Sequence, residues 1–221
     1  MTRRGFEAEL HELQDDVLTL GSMVEKAVVK SIDSLKRKDF ALAERVIEED
    51  KLVNHKRYEI EEKCLKLLAT QQPMAGDLRT IFSVLHIAVE LERMGDYAVG
   101  IAKIVLMIGD EPLIKPLIDI PRMTDLALSM LRRSLDAFIH RDVEAAKQVC
   151  QDDDVIDGLH EQVYRELLTY MLQDPKTINQ ATYLTWVAHN LERIADRSTN
   201  ICERTVFVAT GKMVEIGASK Y

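Results

Sequence analysis

From Phe6 to Lys38 the apolar residues Phe6, Leu10, Leu13, Val17, Leu20, Val24 and Ala27 recur in alternating steps of four and three, with Leu35 further on. That spacing gathers them on one stripe of a long amphipathic helix, as in a bundle seam. The pattern predicts a second helix from about Asp39 to Gln71 and a third from about Ala75 to Met107, with Pro73 placed where a helix starts. Gly109 to Arg122, GDEPLIKPLIDIPR, carries three prolines and a glycine and reads as a linker. Helical periodicity then returns over about Met123 to Arg141, Asp142 to Gln173 and Ile178 to Ala209, with a break at Pro175. Period-two alternation and hairpin signals are absent, so no strands are expected. The tail after Ala209, with Gly211 and Gly217, is expected to fray.

The two stretches on either side of the linker match each other. SIDSLKRKD (31–39) aligns with SLDAFIHRD (134–142), and RVIEEDKLVN (45–54) with QVCQDDDVID (148–157). Pro73 answers Pro175, and L-E-R-x-x-D occurs from Leu91 and again from Leu191. Polar matches recur in order along with apolar ones, which marks a tandem duplication. Helices joined by short turns run antiparallel. The expected fold is therefore all-α, two tandem pseudo-symmetric three-helix bundles. The divisions are 1–108 for the first bundle, 109–122 for the linker, 123–210 for the second bundle and 211–221 for the tail.

Apolar residues make up 47% of the chain and charged residues 30%, which fits a folded protein. The net charge of -8 argues against nucleic-acid binding through a broad basic surface. Cys64, Cys150 and Cys202 lie singly in apolar helical patterns without CxxC spacing, so buried reduced thiols are expected. The start, MTRRGFEAEL, lacks the apolar core of a signal peptide. No apolar run approaches the roughly 20 residues of a membrane span. A cytoplasmic protein is expected, reaching the membrane only through partners.

The doubled motif carries the candidate chemistry. Glu92 and Asp96 are four residues apart, as are Glu192 and Asp196. On a helix each pair shares a face with Cβ atoms about 6 Å apart. Arg93 and Arg193 point about 100° away around the helix and are not expected to neutralise the pairs. The second helix of each half supplies a matching intrusion. Its seam runs Val46, Asp50, Val53, Arg57, Ile60, Cys64, Leu67 in one half and Val149, Asp153, Ile156, His160, Val163, Leu167, Tyr170 in the other. Asp50 and Asp153 stand at the same step, each with an oxygen-bearing residue four on, Asn54 and Asp157. A carboxylate in a seam costs several kcal/mol unless paired. Hard oxygen ligands from neighbouring helices suit magnesium, calcium, manganese or iron. Asn200, one turn beyond Asp196, extends this candidate set, with Gly100 in the matching position. Two plainer readings stand beside the metal: solvated surface acids, or buried ion pairs with Arg57 or His160.

His86 and His189 precede the glutamates at unmatched distances, and the Glu-x-x-His motif of di-iron bundles is absent. Zinc spacings, a P-loop, a dinucleotide fingerprint and a nucleophile elbow are also absent. Trp186 and Tyr183 read as core or interface anchors.

The doubled E-R-x-x-D, the phrase QQPMAGDLR (71–79), the V-x-x-x-D step before each acidic run and the prolines between the second and third helices resemble the PhoU family. The resemblance runs from Leu10 to about Val208. It implies two pseudo-symmetric three-helix bundles with an acidic E(D)xxxD motif in each, here Glu92 with Asp96 and Glu192 with Asp196. It implies bound metal at those acids, divalent or multinuclear, with iron, zinc, manganese or magnesium as the choices. It also implies a homodimer and a non-enzymatic regulator. Such a regulator stands between the ATPase of a phosphate ABC transporter and a membrane sensor histidine kinase, repressing the phosphate-starvation response and uptake when phosphate is plentiful. The rival reading is a carboxylate-bridged metal enzyme or storage protein on a helical bundle. In one departure the phrase Asp77 to Arg79 has no counterpart in the second half, where NQATY stands.

Overall fold

The computed structural model describes residues 3–216. Six helices follow one another: α1 (Arg3–Arg37), α2 (Phe40–Gln71), α3 (Gly76–Ile108), α4 (Asp119–His140), α5 (Val143–Gln173) and α6 (Ile178–Thr210). One 3-10 turn, Pro175–Thr177, precedes α6, and there is no strand among the described residues. The helices follow the sequence periodicity closely. Only α4 departs, beginning at Asp119 rather than near Met123. Pro121 lies within its first turn, where backbone N–H groups have no helical partner and the missing donor costs nothing.

The duplication is visible in the turns. α1 ends on Lys38 (φ 53°) and α4 on Arg141 (φ 54°), both left-handed. The next residue caps the following helix in each case. Asp39 accepts from the Leu42 N–H at 2.9 Å and Asp142 from the Ala145 N–H at 3.0 Å, each satisfying an orphan donor. The ion pair between Lys30 and Glu49, bridging α1 to α2, recurs between α4 and α5 as Arg133 with Asp152.

Each half is an antiparallel three-helix bundle, and the two are joined through α3 against α6 and α1 against α4. The core is therefore one continuous apolar cluster spanning both halves. α2 and α5 flank it without touching each other. Along the α3–α6 seam, Phe82 meets Phe207 (centroids 6.2 Å apart), and Glu90 meets Asn200. Gly100 faces Asn190, whose Oδ1 would stand 3.1 Å from a Cβ there. The two helices thus run antiparallel. Because 90 and 100 repeat as 190 and 200, a pseudo-two-fold axis passes beside Gly95 and Ala195. The buried, free thiols of Cys64, Cys150 and Cys202 sit within the core region. Trp186 does not: it is 47% exposed, with Tyr183 beneath it packed on the core. No described helix is long and apolar enough to cross a membrane.

Candidate functional site

Two acidic clusters flank the α3–α6 seam, one between α2 and α3 and one between α5 and α6. The seams of α2 and α5 bury every apolar step from Val46 to Leu67 and from Val149 to Leu167. They leave the intruding acids half-buried at the helix contact. Gly95 lets α3 come close there, since a Cβ on it would stand 3.2 Å from Val53 Cγ1 and 3.4 Å from Asp50 Oδ1.

In the first cluster Asn54 Nδ2 donates to Asp50 Oδ2 at 2.8 Å. Arg57 Nη1 stands 3.8 Å from Glu92 Oε1, while its Nη2 pairs with Glu61 at 2.8 Å. Burial, and then the charge of Asp96, raise the Asp50 carboxyl above its ordinary range, against the Asn54 hydrogen bond. Glu92 is raised in the same way by burial and Asp96, and Arg57 opposes the rise.

The second cluster is more strained. Burial pushes the Asp153 carboxyl up to about 7, helped by the charges of Asp157, Asp196 and Glu192. Burial and Asp196 push Glu192 up to about 7, against Arg193. Asp153 Oδ1 and Glu192 Oε2 are buried and accept no hydrogen bond. His189 Nδ1 stands 3.2 Å from Glu192 Oε2, but not in line for one. The ring of His160 lies 5.8 Å from that of His189. Both imidazoles sit below their ordinary pKa, His160 through burial and then His189, His189 through burial and then Arg193.

Two sequence expectations are corrected here. Asn200 does not extend the second cluster: its Nδ2 donates to Glu90 Oε2 at 3.1 Å across the α3–α6 seam. Arg193 does engage the acids, because its long side chain folds back one turn and Nη1 donates to Asp196 Oδ2 at 2.6 Å. Against the cost of burial, Tyr97 and Asp196 hold that guanidinium above its ordinary pKa. Arg93 instead stands 3.9 Å from Glu90. Asp50, Asn54, Glu92 and Asp96 form one group, and Asp153, Asp157, Glu192 and Asp196 the other. Sequence reasoning weighed His160 only as an ion-pair partner of the acids and set His189 aside. The available signals were the seam step His160 shares with Arg57 and the three-residue spacing from His189 to Glu192.

The donor chemistry fits a cation: clustered hard oxygens, two of them buried without a donor. Among the described residues no three His, Cys, Asp or Glu side chains already converge on one point, so ligation requires side-chain rotation.

Fold and clusters together define a duplicated all-helical protein with a paired acidic site and no nucleophile–base constellation among the residues singled out. Comparison with known proteins agrees with that class. A PhoU domain model matches residues 17–105 and again 120–205. The chain is 40% identical over 217 residues to the phosphate-specific transport system accessory protein PhoU homolog of Clostridium acetobutylicum, covering 98% of this chain and 99% of that one. It is 37% identical to the homolog of Aquifex aeolicus, covering 94% of each. Its structure resembles the crystal structure of the phosphate transport system regulatory protein PhoU from Streptococcus pneumoniae. There the TM-score is 0.88 at 36% identity, over 95% of this chain and 99% of that one. The chain belongs to the PhoU family.

Proposed function

We propose that the chain is a non-enzymatic regulator of phosphate homeostasis that binds divalent metal at its acidic clusters. It acts beside a phosphate ABC transporter, contacting the ATPase subunit, and couples the transporter to a membrane sensor histidine kinase. When phosphate is plentiful it restrains uptake and represses the starvation response. The observation that carries this reading is the acidic pair of α3 and α6, each opposite a seam carboxylate, in a chain matched end to end by transport-system accessory proteins. The working form is a homodimer in the cytoplasm, drawn to the membrane by its partners.

An allosteric coupler needs surfaces whose geometry depends on state. Asp50 and Glu92, or Asp153 and Glu192, would hold such an ion and so brace α2 on α3 or α5 on α6, and the ion would supply the positive charge that offsets the carboxylates. The test uses a strain lacking this gene with a phosphate-starvation reporter. The wild-type chain restores repression in phosphate-replete medium. The variant Glu92→Ala, Asp96→Ala, Glu192→Ala, Asp196→Ala, folded by circular dichroism, does not. Full repression by that variant sinks the role of the clusters. Failure of the wild-type chain to repress sinks the regulatory reading.

A further inference from the structure

The two clusters occupy equivalent places, yet their partners differ at four matched positions. Asn54 of the first answers Asp157 of the second, Arg57 answers His160, Val89 answers His189, and Gly95 answers Ala195. Two of these differences, Asn54 to Asp157 and Arg57 to His160, make the second cluster more negative, and Val89 to His189 adds an imidazole. In the first cluster Asn54 supplies an amide donor to Asp50 at 2.8 Å, and Arg57 brings a guanidinium to 3.8 Å from Glu92. A resident cation and a resident donor thus occupy the acids. In the second cluster the amide has become a second carboxylate on α5, Asp157, and the guanidinium has become an imidazole.

That imidazole is not alone. His160 and His189 rise from facing helices with ring centroids 5.8 Å apart, and His189 Nδ1 stands 3.2 Å from Glu192 Oε2. The cluster also holds two buried oxygens that accept no hydrogen bond, Asp153 Oδ1 and Glu192 Oε2, the second of them beside His189. A neutral imidazole nitrogen is a common metal ligand. Carboxylates alone suit magnesium, calcium or manganese, whereas added imidazole nitrogen suits zinc or iron.

Resting on the metal reading above, we propose that the two copies have diverged. The second cluster is a mixed nitrogen–oxygen site for a first-row divalent ion such as zinc or ferrous iron, with His160 and His189 as ligands. The first cluster, partly neutralised from within by Arg57 and Asn54, holds an ion far more weakly. The ion preference of the chain is therefore set by two histidines outside the doubled acidic motif.

The experiment titrates the metal-free, full-length chain with zinc and with magnesium. It follows stoichiometry by calorimetry and the imidazole nitrogens by 15N NMR. The expected result is one tight zinc equivalent per chain, with both His160 and His189 nitrogen resonances shifted and magnesium far weaker. The double substitution His160→Arg with His189→Val installs the first cluster's residues and lowers zinc affinity at least tenfold. His189→Gln is a milder check on the same ligand. Two equal zinc sites, or binding with unmoved imidazole resonances and unchanged affinity in both variants, overturns the divergence and leaves the metal reading standing. No binding of either ion by the wild-type chain overturns both.

Discussion

Asn200 on α6 donates through Nδ2 to Oε2 of Glu90 on α3, 3.1 Å away, and so ties one half of the molecule to the other. The same oxygen lies 3.3 Å from Arg197 Nη1, a side chain only 13% exposed. Glu90 is thus the shared acceptor of a small polar network at the bundle–bundle seam. Asn200→Ala removes one hydrogen bond and is expected to cost about 1 kcal/mol of stability. Glu90→Ala leaves Arg197 without its carboxylate and is expected to cost about 2–3 kcal/mol, below the full penalty of a sealed ion pair because both groups keep some solvent. Urea unfolding measures both. Metal stoichiometry of Asn200→Ala should equal that of the wild type, since the amide points away from the acidic cluster.

This network also shows where the sequence stops being legible. Helical periodicity located all six helices, the approximate helix starts at Asp39 and Asp142, which the structure shows to be caps, and the seam acids Asp50 and Asp153. Those features depend on residues within one helix or on neighbouring helices of one bundle. Asn200 was misplaced because a helical wheel gives its face but not which helix covers that face. Here α3 of the other half does so, a hundred residues away. Arg193 was misread because Cβ direction fixes only the first bond of a side chain long enough to reach back one turn. α4 was read short because Pro121 looks like a terminator when it is a first-turn residue.

The linker supplies a second test. Gln180, buried on the first turn of α6, donates through Nε2 to Pro112 O at 3.0 Å and accepts from the Ile114 N–H. Both ends of one amide are used to hold the segment leaving α3. At the opposite end of the seam, Arg79 on the first turn of α3 lies against Gly211, the residue leaving α6. Gln180→Ala is expected to destabilise the chain by about 2 kcal/mol, because it strips partners from backbone groups that are part-buried. Faster proteolytic cutting within 110–118 should accompany the loss. A cleavage rate equal to that of the wild type would count against the clamp.

The α1–α4 contact depends on Gly21, whose missing side chain is replaced in space by Leu135 Cδ1 from α4. Any Cβ there must displace that methyl group, and a β-branched one must move the helix. Gly21→Val is expected to destabilise the chain by about 1–3 kcal/mol through overpacking, despite its relief of glycine's entropy cost. Gly21→Val combined with Leu135→Ala should recover part of the loss. Additive effects in that double-mutant cycle would show that the two positions do not compete for the same space.

Asp153 and Glu192 give the metal-free chain a distinctive dependence on pH. Both carboxyls titrate at about 7 in the folded chain, against ordinary values of 3.8 and 4.5. Between those limits the folded state holds more protons than the unfolded state. By linkage, stability conferred by these groups is greatest below about pH 4, falls as pH rises to about 7, and is level above that. Asp16 acts oppositely: burial would raise its carboxyl, but hydrogen bonds from Lys56 and Lys63 lower it, so its contribution is lost in acid. The difference between two proteins isolates the cluster from such background. Asp153→Asn should raise the melting temperature of metal-free protein relative to the wild type at pH 8. That gain should shrink steadily toward pH 4, where the wild-type carboxyl is itself neutral. Saturating zinc should reverse the order at pH 8, because the ion stabilises only the state that holds it and Asn offers it a weaker ligand. A melting difference between Asp153→Asn and the wild type that stayed constant from pH 4 to pH 8 would mean that Asp153 is not held protonated by burial and its acidic neighbours.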